Sequence, residues 1–194
     1  MTAKMNFKIN QGSTFNPVLR WEGAEKVYKV ITNVTKSAPV VITAVEHGLV
    51  SGWRVKLTDI VGTKELNNTA MYHPITVLTP DTISINSINS LSYTTYVSGG
   101  VVEYNKPIDL AGMTARMQLR TKIESDIVIH ELTTENGGIT LDNVTKQIKL
   151  TIPAATTTTF DFTSAVYSLE IIDSIGVVFN FARGTITLNK EVTR

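Results

Sequence analysis

The chain has 194 residues and no cysteine, which excludes disulfide frameworks, thiolate metal sites and cysteine nucleophiles together. It has little net charge: 18 Lys+Arg stand against 17 Asp+Glu, a formal +1. No overall positive field exists to hold a polyanion by counterion release, so nucleic acid is not an expected partner. Long apolar runs are missing too. The first ten residues carry two lysines and no secretory hydrophobic core, and nothing approaches the roughly 18–20 apolar residues of a membrane-crossing helix. The expectation is a chain without a signal peptide or membrane partner, made in a cytoplasm. A hydrophobic share of 42% with 18% charged residues excludes disorder and collagen, and the length allows one large or two small packed domains.

What is abundant is β-branched. Threonine is the commonest residue, with valine and isoleucine next, and such side chains favour pleated strands over helices. Period-2 alternation recurs between turn residues, the pattern of sandwiches and small barrels. In 114–121, Ala115, Met117 and Leu119 share one face while Arg116, Gln118 and Arg120 share the other, as a half-buried strand requires. Residues 146–152 alternate in the same way and pair with 138–142 across Asn143, Val144 and Thr145 as a hairpin. Residues 166–173 and 177–183 make a second hairpin with a stripe of Val177, Phe179 and Phe181, and Gly184 is expected to turn the chain into 185–191. The one helical candidate is 153–160, where Pro153 suits a first turn but four successive threonines limit its length.

Near the N-terminus, 5–10 and 15–21 read as strands about a Gln11, Gly12, Ser13 turn. From about residue 24 to 104 the chain is poorer in charge and supplies its own short strands at 30–35, 40–45, 54–58, 75–78, 82–86 and 101–104. Five or six short strands in such a segment can close a small barrel. Strands that belong to one sheet lie on both sides of it, so it reads as an insertion. The expected fold is all-β: an antiparallel β-sandwich-like outer domain, 1–23 and 105–194, carrying an inserted small β-barrel domain, 24–104.

The outer segments MNFKINQGSTFNPVLRW, KPIDLAGMTARMQLRTK and YSLEIIDSIGVVFNFARGTITLNKEVTR resemble a family of small β-rich structural proteins encoded among the tail genes of tailed bacteriophages. The resemblance covers 5–21 and 106–194, with Pro107, Ile108, Asp109 and Leu110 and the Val192, Thr193, Arg194 ending as its landmarks. It extends to the amino-terminal domains of phage baseplate proteins that anchor receptor-binding parts. The inserted segment, with His47-Gly48, Ser51-Gly52, Gly62, Leu66-Asn67-Asn68 and Ser98-Gly99-Gly100, is similar to the first catalytic-cysteine half-domain of ubiquitin-activating enzymes. With no cysteine and no adenylation domain, that similarity carries no activating chemistry here.

Enzymatic signals are weak. His47, His73 and His130 lack metal-motif spacing; His47 reads as a loop-bracing side chain before Gly48, and His73 is biased to extended backbone by Pro74. Asp142, Asp161, Glu170 and Asp173 could supply a glycosidase pair, but none has a distinguishing context. Ser98 enters a Gly99-Gly100 turn rather than a nucleophile elbow, and no Lys-Ser or Lys-Thr follows to make a phosphate loop. No catalytic residue, metal or cofactor is expected.

Binding candidates are surfaces. Arg116, Arg120 and Lys122 form a basic run with Glu124 and Asp126 just beyond, a solvated face or a subunit contact. Residues 1–4 and 191–194, including Glu191 and Arg194, are candidate mobile tethers. Trp21, Trp53, Tyr72, Tyr93, Tyr96 and Tyr104 lie in or beside the insertion; of these Trp53, Tyr72, Tyr93 and Tyr96 are the candidate ligand-contact aromatics, against the alternative that they fill its core. The resemblance implies a non-enzymatic virion protein, a tail, neck or baseplate adaptor. It would dock as a homo-oligomer on other phage structural proteins, anchor or decorate fibres, and be assembled in the host cytoplasm. The alternative is a receptor- or carbohydrate-binding module of the tail, and a depolymerase ranks last.

Overall fold

The computed structural model describes residues 2–191, with the side chains of 68 and 69 left aside. The chain divides into two compact units, one of Met1–Trp21 with Asp109–Arg194 and one of Glu22–Ile108. The strands of the first part of the chain are β1 (Ala3–Lys4), β2 (Phe7–Asn10), β3 (Val18–Leu19), β4 (Glu22–Val30), β5 (Asn33–Val34), β6 (Val40–Thr43), β7 (Arg54–Val61), β8 (Asn68–Pro74), β9 (Thr76–Thr79), β10 (Thr82–Ile85) and β11 (Ser98–Pro107). They are followed by β12 (Thr114–Arg120), β13 (Val128–Thr133), β14 (Ile139–Asp142), β15 (Gln147–Leu150), helix α1 (Ala154–Thr158), β16 (Ser164–Ile172) and β17 (Val178–Asn189). Nearly all regular structure is β, and among the described residues no helix is long and apolar enough to cross a membrane.

The first unit packs two sheets around one core. In the larger sheet β13, β12, β16 and β17 pair antiparallel in that order, and β1 and β2 both lie along the remaining edge of β17. The smaller sheet runs β14, β15, β3, extended by a bridge from Phe15 to Ile152. Met117, Leu119, Leu169 and Ile171 from one sheet and Ile139, Ile148 and Leu150 from the other join a single buried cluster, each side chain contributing about 1.5–3 kcal/mol. The 138–152 hairpin forms with Ile139 opposite Leu150 and Asp142 opposite Gln147. The turn holds because Asp142 Oδ1 accepts from the Val144 and Thr145 N–H groups, an Asx turn that satisfies donors a hairpin tip otherwise exposes.

Three expectations are corrected in this unit. The larger sheet is mixed rather than antiparallel, because β1 and β2 pair with β17 in parallel; these strands come from opposite ends of the chain, so no hairpin turn dictates their direction. Gly184 makes no turn. It sits within the continuous β17, where a Cβ would run into the Met5 carbonyl, so glycine serves a close backbone approach there. Residues 2–4 are not a free tether, since Ala3 and Lys4 lie in register with Ala182 and Arg183; Met1 and 192–194 lie outside the described residues.

The second unit is a sandwich rather than a closed barrel. One sheet runs β4, β11, β7, β8 and the other β5, β6, β10, β9; Trp53, Leu57, Ile42, Ile83 and Val102 belong to the core they share. The chain turns between sheets at Ile31 and Thr32, whose N–H groups donate to Gly100 in one sheet and Thr43 in the other. A second corner follows β8, where Pro74 removes a ladder donor. Neither corner is bridged by a hydrogen-bonded strand pair, so the barrel stays open. Gly99 and Gly100 are not a turn but the start of β11, and a Cβ on Gly100 would meet Ile60 at 2.7 Å. The unit begins and ends on neighbours: Glu22 of β4 is the register partner of Pro107 of β11.

Candidate functional site

The larger sheet of the first unit buries alternate residues, so the others stand on an outward face. Its central rung reads Glu131, Gln118, Ser168, Arg183 and Lys4, in register across five strands. The neighbouring rungs carry Arg116 with Glu170 and Asn180, and Arg120 with Val166 and Thr185. These residues line an open groove of about 770 Å³, with Ile123 at its rim. Four cations, Lys4, Arg116, Arg120 and Arg183, meet two carboxylates, Glu131 and Glu170. The groove thus carries two excess positive charges in a chain whose total is +1.

Most of those charges are satisfied internally. Arg116 Nε donates to Glu170 Oε2 at 2.7 Å, and Gln118 Nε2 donates to Glu131 Oε1 at 2.6 Å. The Arg120 guanidinium donates to Gln118 Oε1 at 2.7 Å and to the Ser125 carbonyl. Lys4 and Arg183 are different. Both are exposed, and among the described residues neither makes an ion pair within 4.0 Å.

The position of Lys4 is tightly determined. The Met5 N–H donates to the Arg183 carbonyl at 3.0 Å, the Tyr167 hydroxyl donates to the Met5 carbonyl at 2.9 Å, and the Thr185 N–H donates to Asn6 Oδ1 at 3.1 Å. Burial pushes the Tyr167 phenol up to about 12, so it remains a donor at any physiological pH.

Of the residues singled out from sequence, Arg116 and Arg120 lie in the groove and Lys122 is exposed in the β12–β13 loop beside Ile123. Glu191 lies elsewhere, its N–H donating to Gln11 Oε1, and Arg194 is outside the described residues. Lys4 was expected only as part of a terminal tether, and Arg183, Ser168 and Asn180 were missed. The alternation from Phe179 to Arg183 is broken by a bulge that buries both Phe181 and Ala182, and the partner strand of Arg183 comes from the far end of the chain.

The aromatics divide. Trp53 is not a ligand-contact residue: it is fully buried, and its Nε1 donates to the Asn105 carbonyl at 3.1 Å. Tyr104 is also buried, its hydroxyl bonded to the His47 carbonyl. Tyr93 and Tyr96 pack half-buried against the core, and the Tyr96 hydroxyl donates toward the Ile31 and Gly99 carbonyls. Tyr72 stands on the outward face of the β4–β11–β7–β8 sheet with Arg54 and Lys56 at 4.6 and 4.7 Å from its ring centre, so cations already occupy its π surface. Trp21 packs on Phe179 and Phe181 in the first unit. Tyr28, on the unforeseen strand β4, is the most exposed aromatic at 59%.

The chemistry-bearing side chains have structural employment. His47 is buried, Nδ1 accepting from the Leu49 N–H and Nε2 donating to the Thr79 carbonyl, which braces the loop. Asp142 is held well below the usual carboxylate range by the Thr145 N–H and then by Lys149. Asp161 pairs with Lys190, Glu170 with Arg116, and Asp173 accepts from the Ile175 and Val177 N–H groups. Among the described residues no group of three or more His, Asp or Glu side chains is placed to hold a metal.

The family model for the ubiquitin-activating enzyme E1 FCCH domain matches residues 37–106. The match lies wholly within the second unit and runs from just before β6 nearly to the end of β11, so β4 and β5 precede it. That unit is similar to such a domain. No curated protein matches the chain.

Proposed function

We propose that this protein is a non-enzymatic structural component of the tail, neck or baseplate of a tailed bacteriophage, assembled in the host cytoplasm and docking in several copies through its first unit. The second unit is then an inserted module that projects from or decorates the assembly, and fibres or receptor-binding parts are candidate neighbours. The identity rests on the resemblance of 5–21 and 106–194 to phage tail structural proteins. The observation that carries the mode of action is the outward groove, where Lys4 and Arg183 stand opposite one another and, among the described residues, neither makes an ion pair. Like charges facing each other across a strand pair cost stability, so such a pair points to a surface completed by a partner.

The carbohydrate-binding alternative rests on the outward aromatic Tyr28, since Trp53 is core and the ring of Tyr72 is covered by cations. The test is quantitative peptide mass spectrometry of density-purified phage particles encoding this chain, with copy number scaled to the portal. Presence at a multiple of three or six is the expected result. Absence from the particles overturns the reading.

A further inference from the structure

A surface opposite in charge to the Lys4–Arg183 pair is present on the chain itself. Lys4 and Arg183 lie on β1 and β17, at one edge of the larger sheet, while β13 is the opposite edge. The loop 121–127 that leads into β13 presents Glu124 and Asp126, both exposed and, among the described residues, without an ion pair. The same loop exposes Ile123 at 81% and Ile127 at 74%. Its shape is fixed from within: the Arg120 guanidinium donates to the Ser125 carbonyl, the Ser125 N–H to the Lys122 carbonyl, and the Ile127 N–H to Ser125 Oγ. Among the described residues, one edge of the sheet therefore holds a cation pair without ion pairs, and the other holds a braced loop whose Glu124 and Asp126 outnumber Lys122, with two exposed isoleucines.

We infer that the loop 121–127 of one copy seats on the Lys4–Arg183 end of the groove of the next copy, joining identical chains head to tail. Glu124 and Asp126 supply the carboxylates that Lys4 and Arg183 lack, with the Arg183 fork suited to bidentate pairing. The isoleucines supply apolar area, which exposed charge pairs alone do not replace. Because donor and acceptor are different patches at opposite edges of one sheet, the contact is heterologous, and repetition closes a ring or extends a filament. A nucleic acid fits less well, since two free cations neutralise too few phosphates for strong binding. The inference rests on the multi-copy docking proposed above and names the contact that would build it.

The test uses the full chain in analytical ultracentrifugation at low salt. Wild type is expected to show concentration-dependent species larger than a dimer, weakened about tenfold or more in 0.5 M salt, where the Debye length is far below 10 Å. An acceptor variant, Lys4→Glu with Arg183→Glu, and a donor variant, Glu124→Lys with Asp126→Lys, should each be monomeric. Both disrupted edges are surface sites, and unchanged circular dichroism and melting confirm that each variant folds.

Mixing the two variants should restore assembly, because the acidic loop of the acceptor variant seats on the intact cationic groove of the donor variant, and the donor variant's basic loop seats on the acceptor variant's acidic groove. The expected product is an alternating assembly larger than a dimer. A chain carrying all four substitutions should assemble again by the reversed charges. Wild type that stays monomeric to about 1 mM, or variants that assemble like wild type, overturns the inference. A chain found in particles at multiple copies, together with either of those results, leaves the virion reading standing and removes this contact alone.

Discussion

The two units each present an outward sheet face rich in charge, and they treat it oppositely. On the β4–β11–β7–β8 sheet the charges are matched: Arg54 grips Glu22 with two bonds of 2.7 Å, Lys26 pairs with Glu103 and Lys106 with Glu25, and Arg54 and Lys56 cover Tyr72. That unit holds as many Lys and Arg as Asp and Glu. On the larger sheet of the first unit, two cations are held side by side by backbone and side-chain bonds, and among the described residues neither makes an ion pair. A neutral, self-satisfied face needs no neighbour, whereas a face with fixed, unmatched charge gains by acquiring one. Under the proposed function, docking falls to the first unit and the second is carried with it.

The largest effect that could break this comparison is removal of the second unit. Replacing 22–108 by Asn-Gly should leave a cooperatively folding first unit with its groove, because Glu22 and Pro107 are register partners and the excised piece begins and ends together; loss of cooperative unfolding in urea would show that the units are not separable. Next, Trp53→Ala should cost the second unit about 3–5 kcal/mol, since Trp53 is 0% exposed. Trp21, the only other tryptophan, then reports the first unit by fluorescence, and its midpoint should not move.

Gly184→Val, which forces a side chain against the Met5 carbonyl, should cost the first unit about 2 kcal/mol or more. It should also free residues 2–6 to proteolysis, while the second unit is unaffected. A smaller effect is pH-dependent and should appear in both units. Burial lowers the pKa of His73 in the second unit and of His130 in the first, where Glu131 opposes it in part. Each is favoured neutral in the fold, so its contribution is intact above the ordinary value of about 6.5 and declines as pH falls below it. His73→Gln should flatten the pH 7 to 5 melting profile of the second unit only.

The smallest effect separates the faces most sharply. Arg54→Ala should cost the second unit about 0.5–1 kcal/mol for an exposed but bidentate pair, while Arg183→Ala should leave stability unchanged or raise it by a few tenths of a kcal/mol by relieving repulsion from Lys4. Differential scanning calorimetry of both variants checks the sign.

The elements legible in the sequence were those set by local pattern. The alternation of 114–121, the Asn143 hairpin and the short helix after Pro153 all depend on residues within a few positions of one another, and the β16–β17 hairpin has its turn where Asp173 and Gly176 put it. What stayed hidden depends on distance. Strand β4 alternates poorly because much of its outward face is exposed and little of it is core, and the parallel pairing of β1 and β2 with β17 joins the two ends of the chain. Gly184 looks like a turn until the Met5 carbonyl is seen to occupy the space of its missing side chain. The groove followed the same rule: Arg116 and Arg120 were visible on one strand, whereas the cation pair that matters exists only once Lys4 is laid against Arg183.

The most direct measurement is a competition for places in the particle. Cells infected with phage lacking this gene are supplied with wild-type and Arg183→Glu chains in equal amounts, and the ratio of the two in purified particles is read by mass spectrometry of the peptide that spans the substitution. Docking through the first unit's groove requires wild type to be enriched about tenfold or more, equivalent to about 1.4 kcal/mol. Equal incorporation of the two chains would contradict it.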